Sequence, residues 1–532
     1  MERKYPVGIQ TFSEIIRGGY VYVDKTDLMW RLQNSLKYVF LSRPRRFGKS
    51  LLTSTMESFF RGERELFEGL KIMSLEKDWK EYPVIRLDLS TIKNMSSADD
   101  LKNQLFRLLL PYEKLYGFGE YETTPGSRLS GIIYRAFHQK NAQVVVIIDE
   151  YDSVLLDVLH EEKLLDDYRR VMQEFYQVLK PADAMLRFCF LTGITRLSQM
   201  NIFSALNNLT NISLDSRYAA ICGITDEELC TTLRADVALL ALNYQCDEPT
   251  MHNMLKARYD GYHFSSDIMR DVYNPYSLLS AFEQRKLGNY WFDTGTPTFL
   301  IRQLKHFKFN ISSVDHIETT DYAINRPTEA LTTVEPLLYQ TGYLTIKDYD
   351  RDTDIYTLSV PNQEVRIGLV DGLLPAYIGL DGEKVQAGFA LRFWRALKAG
   401  DIEQALLEMK SYFAGLPYIE GFKQKLADVT KAEGFYEWTF YLVFSMLNVY
   451  VRTQVKTIHG RADIVVWMPD TIYVFEIKVN KTAQEALDQI NNKGYAIPYQ
   501  ADGRNVVKVG VRFSTETLAV EDWIVKRTVL AL

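Results

Sequence analysis

The chain has 532 residues, of which 47% are hydrophobic and 24% are charged, and its formal net charge is −6. This length exceeds what one hydrophobic core organises and predicts about three domains, while the composition is that of a folded protein rather than a disordered chain. The negative balance excludes a uniformly basic nucleic-acid coat, although a local basic groove stays compatible with it.

The N-terminal stretch "MERKYPVGIQTF" lacks the apolar segment of a signal peptide. No segment reaches the roughly 18 consecutive apolar residues that a membrane helix requires. We therefore expect a cytoplasmic protein without a membrane partner.

The chain has four cysteines but no CxxC pair, and this pattern favours reduced thiols over a zinc site. The four cysteines are Cys189, Cys222, Cys230 and Cys246.

Short apolar strands alternate with helices in the first third of the chain. The segment "SLLTSTMESFF" has apolar residues at helical spacing, and "AQVVVIIDEYD" is almost wholly apolar, as a strand buried on both faces should be. Strands separated by helices predict an α/β fold with a parallel sheet and helices on both of its faces. The predicted strands are "YVFLS", "PVIRLDLS", "AQVVVIIDEYD" and "LRFCFLTGIT".

A tight loop, "RPRRFGKS", joins the first strand to the following helix. Gly48, Lys49 and Ser50 open that helix as in a phosphate-binding loop, where backbone N–H groups cradle phosphates, the lysine reaches the terminal phosphates and the serine binds Mg²⁺. Arg43 stands where a glycine is usual, and arginine adopts a positive φ only at a cost. A chance Gly-Lys-Ser turn on a basic loop is the alternative.

Two adjacent acids, Asp149 and Glu150, end the third strand. In a nucleotide site an Asp at this place holds Mg²⁺ and the Glu polarises the attacking water, and the carboxyl edge of a parallel sheet is where such folds bind ligands. The alternative is that the acids merely cap a strand end. The fourth strand ends in Thr192, Thr195 and Arg196, where contact with a γ-phosphate and a solvated strand end are both open.

The chain after this region divides into two further predicted domains. Residues 225–380 are mixed and mostly helical and carry no chemical motif, so we interpret them as a lid or linker. Residues 381–532 end in a helix near 432–448, three strands, a polar helix and a last strand, which is an αβββαβ order. The predicted domains are therefore 1–224, 225–380 and 381–532.

A cluster of carboxylates and a lysine is predicted in the last domain. Glu476 and Lys478 are two residues apart on a strand and share a face. The short turn "MPDT" pairs this strand with the preceding one as a hairpin, so Asp463 and Glu476 can approach one point. From residue 435 to residue 451 the only charged residue is Glu437, and an unpaired carboxylate in this apolar stretch would be costly. Gln489, on the polar helix, offers an amide.

These residue types suit metal-assisted phosphodiester hydrolysis. We predict that Asp463 and Glu476, with Glu437, bind Mg²⁺ or Mn²⁺, which activates a water molecule. Lys478 would position or deprotonate that water and offset negative charge. An internal salt-bridge network without a metal is the alternative.

The αβββαβ order with Glu437, Asp463, Glu476-x-Lys478 and Gln489 resembles the PD-(D/E)XK nuclease superfamily, although an alanine precedes Asp463 where the superfamily name has proline. The front part resembles the AAA-ATPase-like family that accompanies this nuclease domain in bacterial proteins, and "RPRRFGKS" is that family's own form of the loop. The carrying stretches include "YPVGIQTFSEII", "YVYVDKTDLM", "VVVIIDEYDS" and "DGYHF".

The resemblance implies ATP binding and a nuclease fold. We therefore predict an ATP-dependent or ATP-regulated, Mg²⁺-dependent nuclease acting on DNA; the alternative is a nucleotide-controlled switch that binds nucleic acid or protein without cutting. Arg45 and Arg46 are predicted to supply charge to the phosphates in place of glycine N–H groups. DNA versus RNA, the type of cleavage and a homo-oligomeric state are left open.

Overall fold

The computed structural model describes residues 3–93, 95–158, 161–195, 208–265, 270–291, 303–304, 314, 316–324, 333–369, 392–393, 395–397, 399–414, 450–457, 460–468, 470–500, 502–517 and 519–528. Two units are distinguished, the first Met1–Asp293 with Val314–Glu364 and the second Thr294–Ser313 with Val365–Leu532. The predicted division into three domains stays a prediction. None of the described helices combines the length and the hydrophobicity that a membrane crossing requires.

A five-stranded parallel sheet lies at the centre of the first unit. Its strands are β1 (Tyr38–Ser42), β2 (Val84–Asp88), β3 (Val144–Asp149), β4 (Leu186–Gly193) and β5 (Thr210–Asn211). The order across the sheet is β2-β3-β4-β1-β5, and all neighbours are parallel. β1 and β3 are buried along their whole length, which explains their unbroken apolar runs. The predicted parallel sheet is confirmed, with β4 between the two strands that carry the nucleotide motifs.

Among the residues that the structure describes, eight α-helices accompany this sheet. They are α1 (Phe12–Arg17), α2 (Thr26–Ser35), α3 (Lys49–Phe60), α4 (Ile72–Leu75), α5 (Ala98–Tyr116), α6 (Pro125–Lys140), α7 (Ser153–Leu156) and α8 (Glu162–Gln177). The apolar faces of α5, α6 and α8 form one core with alternate residues of β3. α6 begins where the backbone N–H of Ser127 donates to the Thr124 hydroxyl, with Pro125 in the first turn, which are favourable helix-start features.

The rest of the first unit contains more helix than strand, in agreement with the prediction for the middle region. Its helices are α9 (Asp226–Cys230), α10 (Arg234–Asn243), α11 (Glu248–Tyr259), α12 (Pro275–Gln284), α13 (Asp321–Ile324) and α14 (Glu335–Thr341). Its strands are β6 (Ile224–Thr225), β7 (Tyr262–His263), β8 (Asp271–Tyr273), β9 (Ile317–Thr320), β10 (Thr345–Asp350) and β11 (Ile355–Ser359). They form two small antiparallel sheets, β6-β8-β7 and β10-β11-β9, which the sequence did not predict.

The second unit contains a mixed five-stranded sheet. Its strands are β12 (Tyr450–Thr457), β13 (Gly460–Trp467), β14 (Thr471–Val479), β15 (Asn505–Ser514) and β16 (Ala519–Thr528), in this order across the sheet. Its helices are α15 (Ile402–Ala414) and α16 (Ala483–Asn492). β14 and β15 are parallel because α16 connects them, and the other pairs are antiparallel. The predicted βββαβ order is confirmed, whereas the helix predicted near 432–448 lies outside the described residues.

Two local features explain how closely α16 packs on this sheet and why its last strand was not predicted. A Cβ on Gly510 of β15 would come within 2.4 Å of the Ala483 carbonyl oxygen, so the glycine allows α16 to lie close to the sheet. β16 was missed because four charged residues interrupt its apolar pattern, as is common on an edge strand. Those residues are Glu521, Asp522, Lys526 and Arg527.

Candidate active sites

The first candidate site begins at the loop between β1 and α3. Gly48 is the residue that caps α3, with φ at 89° and ψ at 19°. A Cβ at this position would meet nothing within 4 Å, so the left-handed backbone rather than crowding requires glycine. Lys49 and Ser50 then occupy the first turn of α3, where free backbone N–H groups and the helix dipole favour an anion.

Lys49 is the cation of this loop. Its side chain is only 3% exposed, and its Nζ donates to the carbonyl oxygens of Arg43 at 3.1 Å and Pro44 at 3.2 Å. The same Nζ lies 3.3 Å from the Glu150 carboxylate. The ammonium group therefore bonds to the backbone at the start of the loop and pairs with the acid that follows β3.

Asp149 and Ser50, the two predicted Mg²⁺ ligands of this site, are brought together. The Ser50 side chain hydrogen-bonds to Asp149, and Asp149 also accepts from the Thr53 hydroxyl at 3.3 Å. Burial raises the pKa of Asp149 above its ordinary value. Glu150 has φ at 50°, a costly backbone conformation for this residue type that recurs at functional sites. A hydroxyl, a buried carboxylate and a lysine at a helix start are a donor set that fits a Mg²⁺-bound polyphosphate.

Arg43, which stands where a glycine was expected, has a structural environment. Its guanidinium group is buried and donates to the carbonyl oxygens of Ser42 at 2.9 Å, Ser213 at 2.8 Å and Tyr218 at 3.3 Å. It also lies 4.2 Å from the centre of the Phe264 ring. Arg43 thus fastens the start of the loop to backbone some 170 residues away, rather than presenting its charge to a phosphate.

The next two arginines differ from each other. Arg45 is exposed, and its carbonyl oxygen accepts a hydrogen bond from the Trp291 indole at 3.4 Å. Arg46 has φ at 66°; its guanidinium lies 3.7 Å from the centre of the Tyr276 ring and donates to the Tyr290 carbonyl at 3.3 Å. Their predicted contact with phosphates stays a prediction.

The end of β4 is held by an acid that sequence reasoning missed. Thr192 is buried, and its hydroxyl donates to the Leu41 carbonyl at 2.8 Å, so it bonds the neighbouring strand. Asp152 accepts hydrogen bonds from the backbone N–H groups of Ile194 and Thr195 and from the Thr195 hydroxyl. Burial and then the charge of Glu150 raise the pKa of Asp152 to about 6. In the sequence, the third acid of "DEYD" is the signal that could have revealed the contact of Asp152 with the end of β4.

The nucleotide-sensing role of Thr192 stays a prediction, and Arg196 lies outside the described residues.

A largely apolar cleft opens beside the loop. It lies next to Gly48 and is built from the N-terminal segment, the start of α3 and the start of α12. Its one lysine, Lys25, pairs with Glu228 at 2.6 Å. An apolar slot beside a phosphate-binding loop has the right position and chemistry for a planar base. The lining includes Val21, Tyr22, Val23, Phe47, Ile224 and Leu279.

The second candidate site lies on β13 and β14 of the second unit. Ile464 faces Phe475 across the hairpin, which places Asp463 and Glu476 side by side. Asp463 accepts the backbone N–H of Ile477 at 2.7 Å, and Lys478 donates to Glu476 Oε1 at 2.9 Å. The structure thus brings together the three residues that the sequence predicted to act as one cluster.

Glu476 is the unusual member of this cluster. It is 1% exposed, and its Oε2 atom has no hydrogen-bond donor among the described residues. Burial and then the neighbouring charge of Asp463 raise the pKa of Glu476 to about 7. An unbonded buried carboxylate oxygen next to a second carboxylate is the ligand environment that a divalent cation would complete.

The remaining predicted residues of this site are less closely connected. Gln489 lies on α16, and its amide donates to the Tyr495 hydroxyl at 3.3 Å. The same hydroxyl lies 2.8 Å from where a Cβ on Gly460 would be, at the start of β13. The catalytic role of Gln489 stays a prediction, and Glu437 lies outside the described residues.

Comparisons with known proteins agree with these two regions. Residues 6–203 match the family model of a predicted AAA-ATPase, and residues 431–523 match that of the PD-(D/E)XK nuclease superfamily. A protein of Azotobacter chroococcum mcd 1, described as an uncharacterized protein in the vnfD 5' region, is 34% identical over 531 residues. That similarity covers 98% of this chain and 99% of the relative. The two resemblances drawn from the motifs are thereby confirmed.

Proposed function

The chain belongs to the family of this Azotobacter protein and joins a predicted AAA-ATPase region to a PD-(D/E)XK nuclease superfamily region, and from this we propose that it binds Mg²⁺–ATP in its first unit and hydrolyses DNA phosphodiester bonds in its second. Nucleotide binding would license or position the cleavage. The observation that carries the proposal is the Asp463–Glu476–Lys478 cluster with its unbonded buried oxygen.

The nucleotide part rests on the loop and the cleft beside it. Lys49 would donate hydrogen bonds to the terminal phosphates instead of to the loop carbonyl oxygens that it contacts in the structure. Ser50 and Asp149 would hold the Mg²⁺ ion, and Glu150 would orient the attacking water. The base would lie in the apolar cleft next to Gly48.

The nuclease part rests on three side chains of one hairpin. Asp463 and Glu476, with Glu437 as a further proposed ligand, would hold Mg²⁺ or Mn²⁺. A bound ion supplies a more acidic water and stabilises negative charge on the phosphodiester. Lys478, already bonded to Glu476, would position that water and donate to the developing charge. β14, the strand that carries Glu476 and Lys478, is buried along most of its length.

A cleavage assay tests this proposal. Plasmid and single-stranded oligonucleotides are incubated with Mg²⁺ or Mn²⁺, and each condition is repeated with ATP and with a non-hydrolysable analogue. We expect DNA cleavage by the wild type and a loss of roughly 100-fold or more in Asp463→Ala and Lys478→Ala, as for a group that acts in the transition state. Lys481→Ala, an exposed lysine three residues further on, is the matched control and should cleave normally.

Two outcomes would overturn the nuclease proposal. One is that no DNA or RNA is cut with either metal, with or without ATP. The other is that Lys478→Ala binds nucleic acid and cuts as the wild type does. Nucleic-acid binding without cleavage by the wild type would favour the nucleotide-controlled binding switch instead.

A further inference from the structure

Two helices of the first unit bring three side chains with metal-binding atoms to one place. Asp226 and Cys230 are one turn apart on α9 and share a face, and His252 lies on α11. One carboxylate oxygen, the Sγ atom and one imidazole nitrogen all lie within 4.8 Å of one another. These residues belong to neither the nucleotide loop nor the carboxylate cluster of the second unit.

We propose that Asp226, Cys230 and His252 form a binding site for a divalent transition-metal ion of the zinc class. Thiolate and imidazole are the ligands that zinc and its neighbours prefer, whereas Mg²⁺ and Ca²⁺ prefer oxygen ligands alone. Three protein ligands leave a fourth position of a tetrahedral ion for water or a small ligand. The site would therefore select a different metal from the one proposed for either active site.

The geometry is close to what such an ion needs. Asp226 Oδ1 lies 2.8 Å from His252 Nε2. Ligands at about 2.0–2.1 Å from a tetrahedral zinc ion are roughly 3.3 Å apart, so these two atoms would separate by only a few tenths of an ångström. Cys230 is exposed, and its thiol can rotate to close the remaining distance.

The residues around the cluster hold it in position. The Tyr273 hydroxyl donates to Asp226 Oδ1 at 2.8 Å, which fixes the carboxylate in the way that hydrogen bonds orient metal ligands. The side chains of Thr225 and Glu228 cap the start of α9 reciprocally, and Asp247 caps the start of α11. Both helix starts are thus defined without an ion, so little ordering would accompany metal binding.

A separate surface pocket supports an open coordination position. Cys230 and His252 both line it, so an ion bound to them would face its interior. The pocket also carries Arg234 and Glu248, which gives it both charges next to the proposed ion. This combination suits a water molecule or a small anion as the fourth ligand rather than a fully enclosed structural ion.

The competing interpretation is an Asp226–His252 hydrogen bond with an uninvolved surface thiol. Cys230 and His252 lie 22 positions apart on different helices, so a short spacing motif such as CxxC could not reveal the cluster in the sequence. A probe that reports a metal–sulfur bond separates the two interpretations. Co²⁺ is such a probe, because a bound thiolate gives a charge-transfer band that oxygen and nitrogen ligands do not give.

The test is a Co²⁺ titration of the full chain, stripped of metal and reduced with a thiol-free reductant. We expect one Co²⁺ per chain with a thiolate band that added Zn²⁺ removes. Cys230→Ser should abolish the band, and His252→Ala and Asp226→Asn should weaken Co²⁺ binding by roughly tenfold or more. Cys246→Ser, a free cysteine outside the cluster, and His138→Ala, an exposed histidine on α6, are the matched controls and should keep both the band and the affinity.

The proposal is overturned if the wild type gives no thiolate band, if Cys230→Ser keeps it, or if Cys246→Ser loses it. Thermal unfolding of each variant shows whether the fold is intact. Because Cys230 is exposed, Cys230→Ser should unfold at the same temperature as the wild type.

Discussion

Glu476 shows how burial sets the chemistry of a single carboxylate. Its pKa is raised to about 7 by burial and by Asp463, although Lys478 contacts it. Between the ordinary carboxyl pKa and about 7, the folded protein binds a proton that the unfolded chain has released. Stability therefore falls as the pH rises through this window. A metal ion competes with the same proton, so metal affinity should rise over the same pH range.

The first prediction concerns Glu476→Gln in the absence of metal. At pH 8 this change should raise the free energy of unfolding by about 1–3 kcal/mol, because it removes a buried charge, and the gain should shrink toward pH 5. Thermal or denaturant unfolding at several pH values measures it. Mg²⁺ should stabilise the wild type at pH 8 and leave Glu476→Gln unchanged.

The matched control is Glu485→Gln. Hydrogen bonds from Thr482 lower the pKa of Glu485, so its carboxylate is favourable in the folded state and its removal should bring no gain at pH 8. An equal loss of stability in Glu476→Gln at all pH values would show that the carboxylate is well paired, contrary to this account.

Arg43 stands where a phosphate-binding loop usually has its first glycine, and its hydrogen bonds hold the start of the loop in place. Restoring that glycine with Arg43→Gly would leave the carbonyl groups of Ser213 and Tyr218 without this donor and open a cavity beside Phe264. We expect a loss of about 2–4 kcal/mol in stability and weaker ATP binding, rather than a better nucleotide site.

Thermal unfolding and nucleotide titration measure this second prediction. Arg45→Ala is the matched control, because Arg45 is exposed and its substitution should leave the unfolding temperature unchanged. A fall in ATP affinity in Arg45→Ala alone would support the predicted phosphate contact of that arginine. An unchanged unfolding temperature in Arg43→Gly would contradict the structural role.

The cleft beside the phosphate loop is assembled from elements that are far apart in sequence. The N-terminal segment supplies Tyr22 and Val23, the loop supplies Phe47, and α12 supplies Leu279. Because its walls are largely apolar, the contribution of the cleft to ATP binding should depend on its shape rather than on charge.

The third prediction follows from this shape. Leu279→Trp should fill the cleft and lower ATP affinity by roughly tenfold or more, which is about 1.4 kcal/mol, while leaving the unfolding temperature close to that of the wild type. Leu242→Trp on α10, where the side chain is 74% exposed, is the control and should bind ATP normally. Normal ATP affinity in Leu279→Trp would place the base elsewhere.

The sequence predicts those elements whose pattern is local. β1 to β4 and the strands of the β13–β14 hairpin are largely apolar runs of five to nine residues, and Asp149–Glu150 and Glu476-x-Lys478 are close in sequence. β5 to β8 are only two or three residues long, and such strands exist through pairing rather than propensity. The partners of Arg43, the apolar cleft and the Asp226–Cys230–His252 cluster depend on contacts between distant segments, which one sequence does not disclose.

The two units are joined by more than a single linker. The chain passes from one to the other after Asp293, returns at Val314 and leaves again after Glu364. In the first unit Glu364 accepts the backbone N–H of Trp291, whose indole donates to Arg45 of the phosphate loop. Trp291, two residues before the first crossing, is therefore bonded both to Glu364, where the last crossing begins, and to the loop that would hold ATP.

The relative from Azotobacter is similar over 99% of its own length, so both regions and the segment between them occur together in each protein. Such co-occurrence is what a shared, nucleotide-controlled reaction would require. An effect of ATP on DNA cleavage would distinguish the proposed function from two independent activities on one chain.

The measurement that decides this is the rate of Mg²⁺-dependent DNA cleavage as a function of ATP concentration, in the wild type and in Lys49→Ala. Lys71→Ala, an exposed lysine, serves as the control. The account predicts that ATP changes the cleavage rate of the wild type and of Lys71→Ala by roughly tenfold or more and leaves Lys49→Ala at the rate seen without nucleotide. Cleavage that is independent of ATP in all three proteins, or no cleavage in any of them, would contradict it.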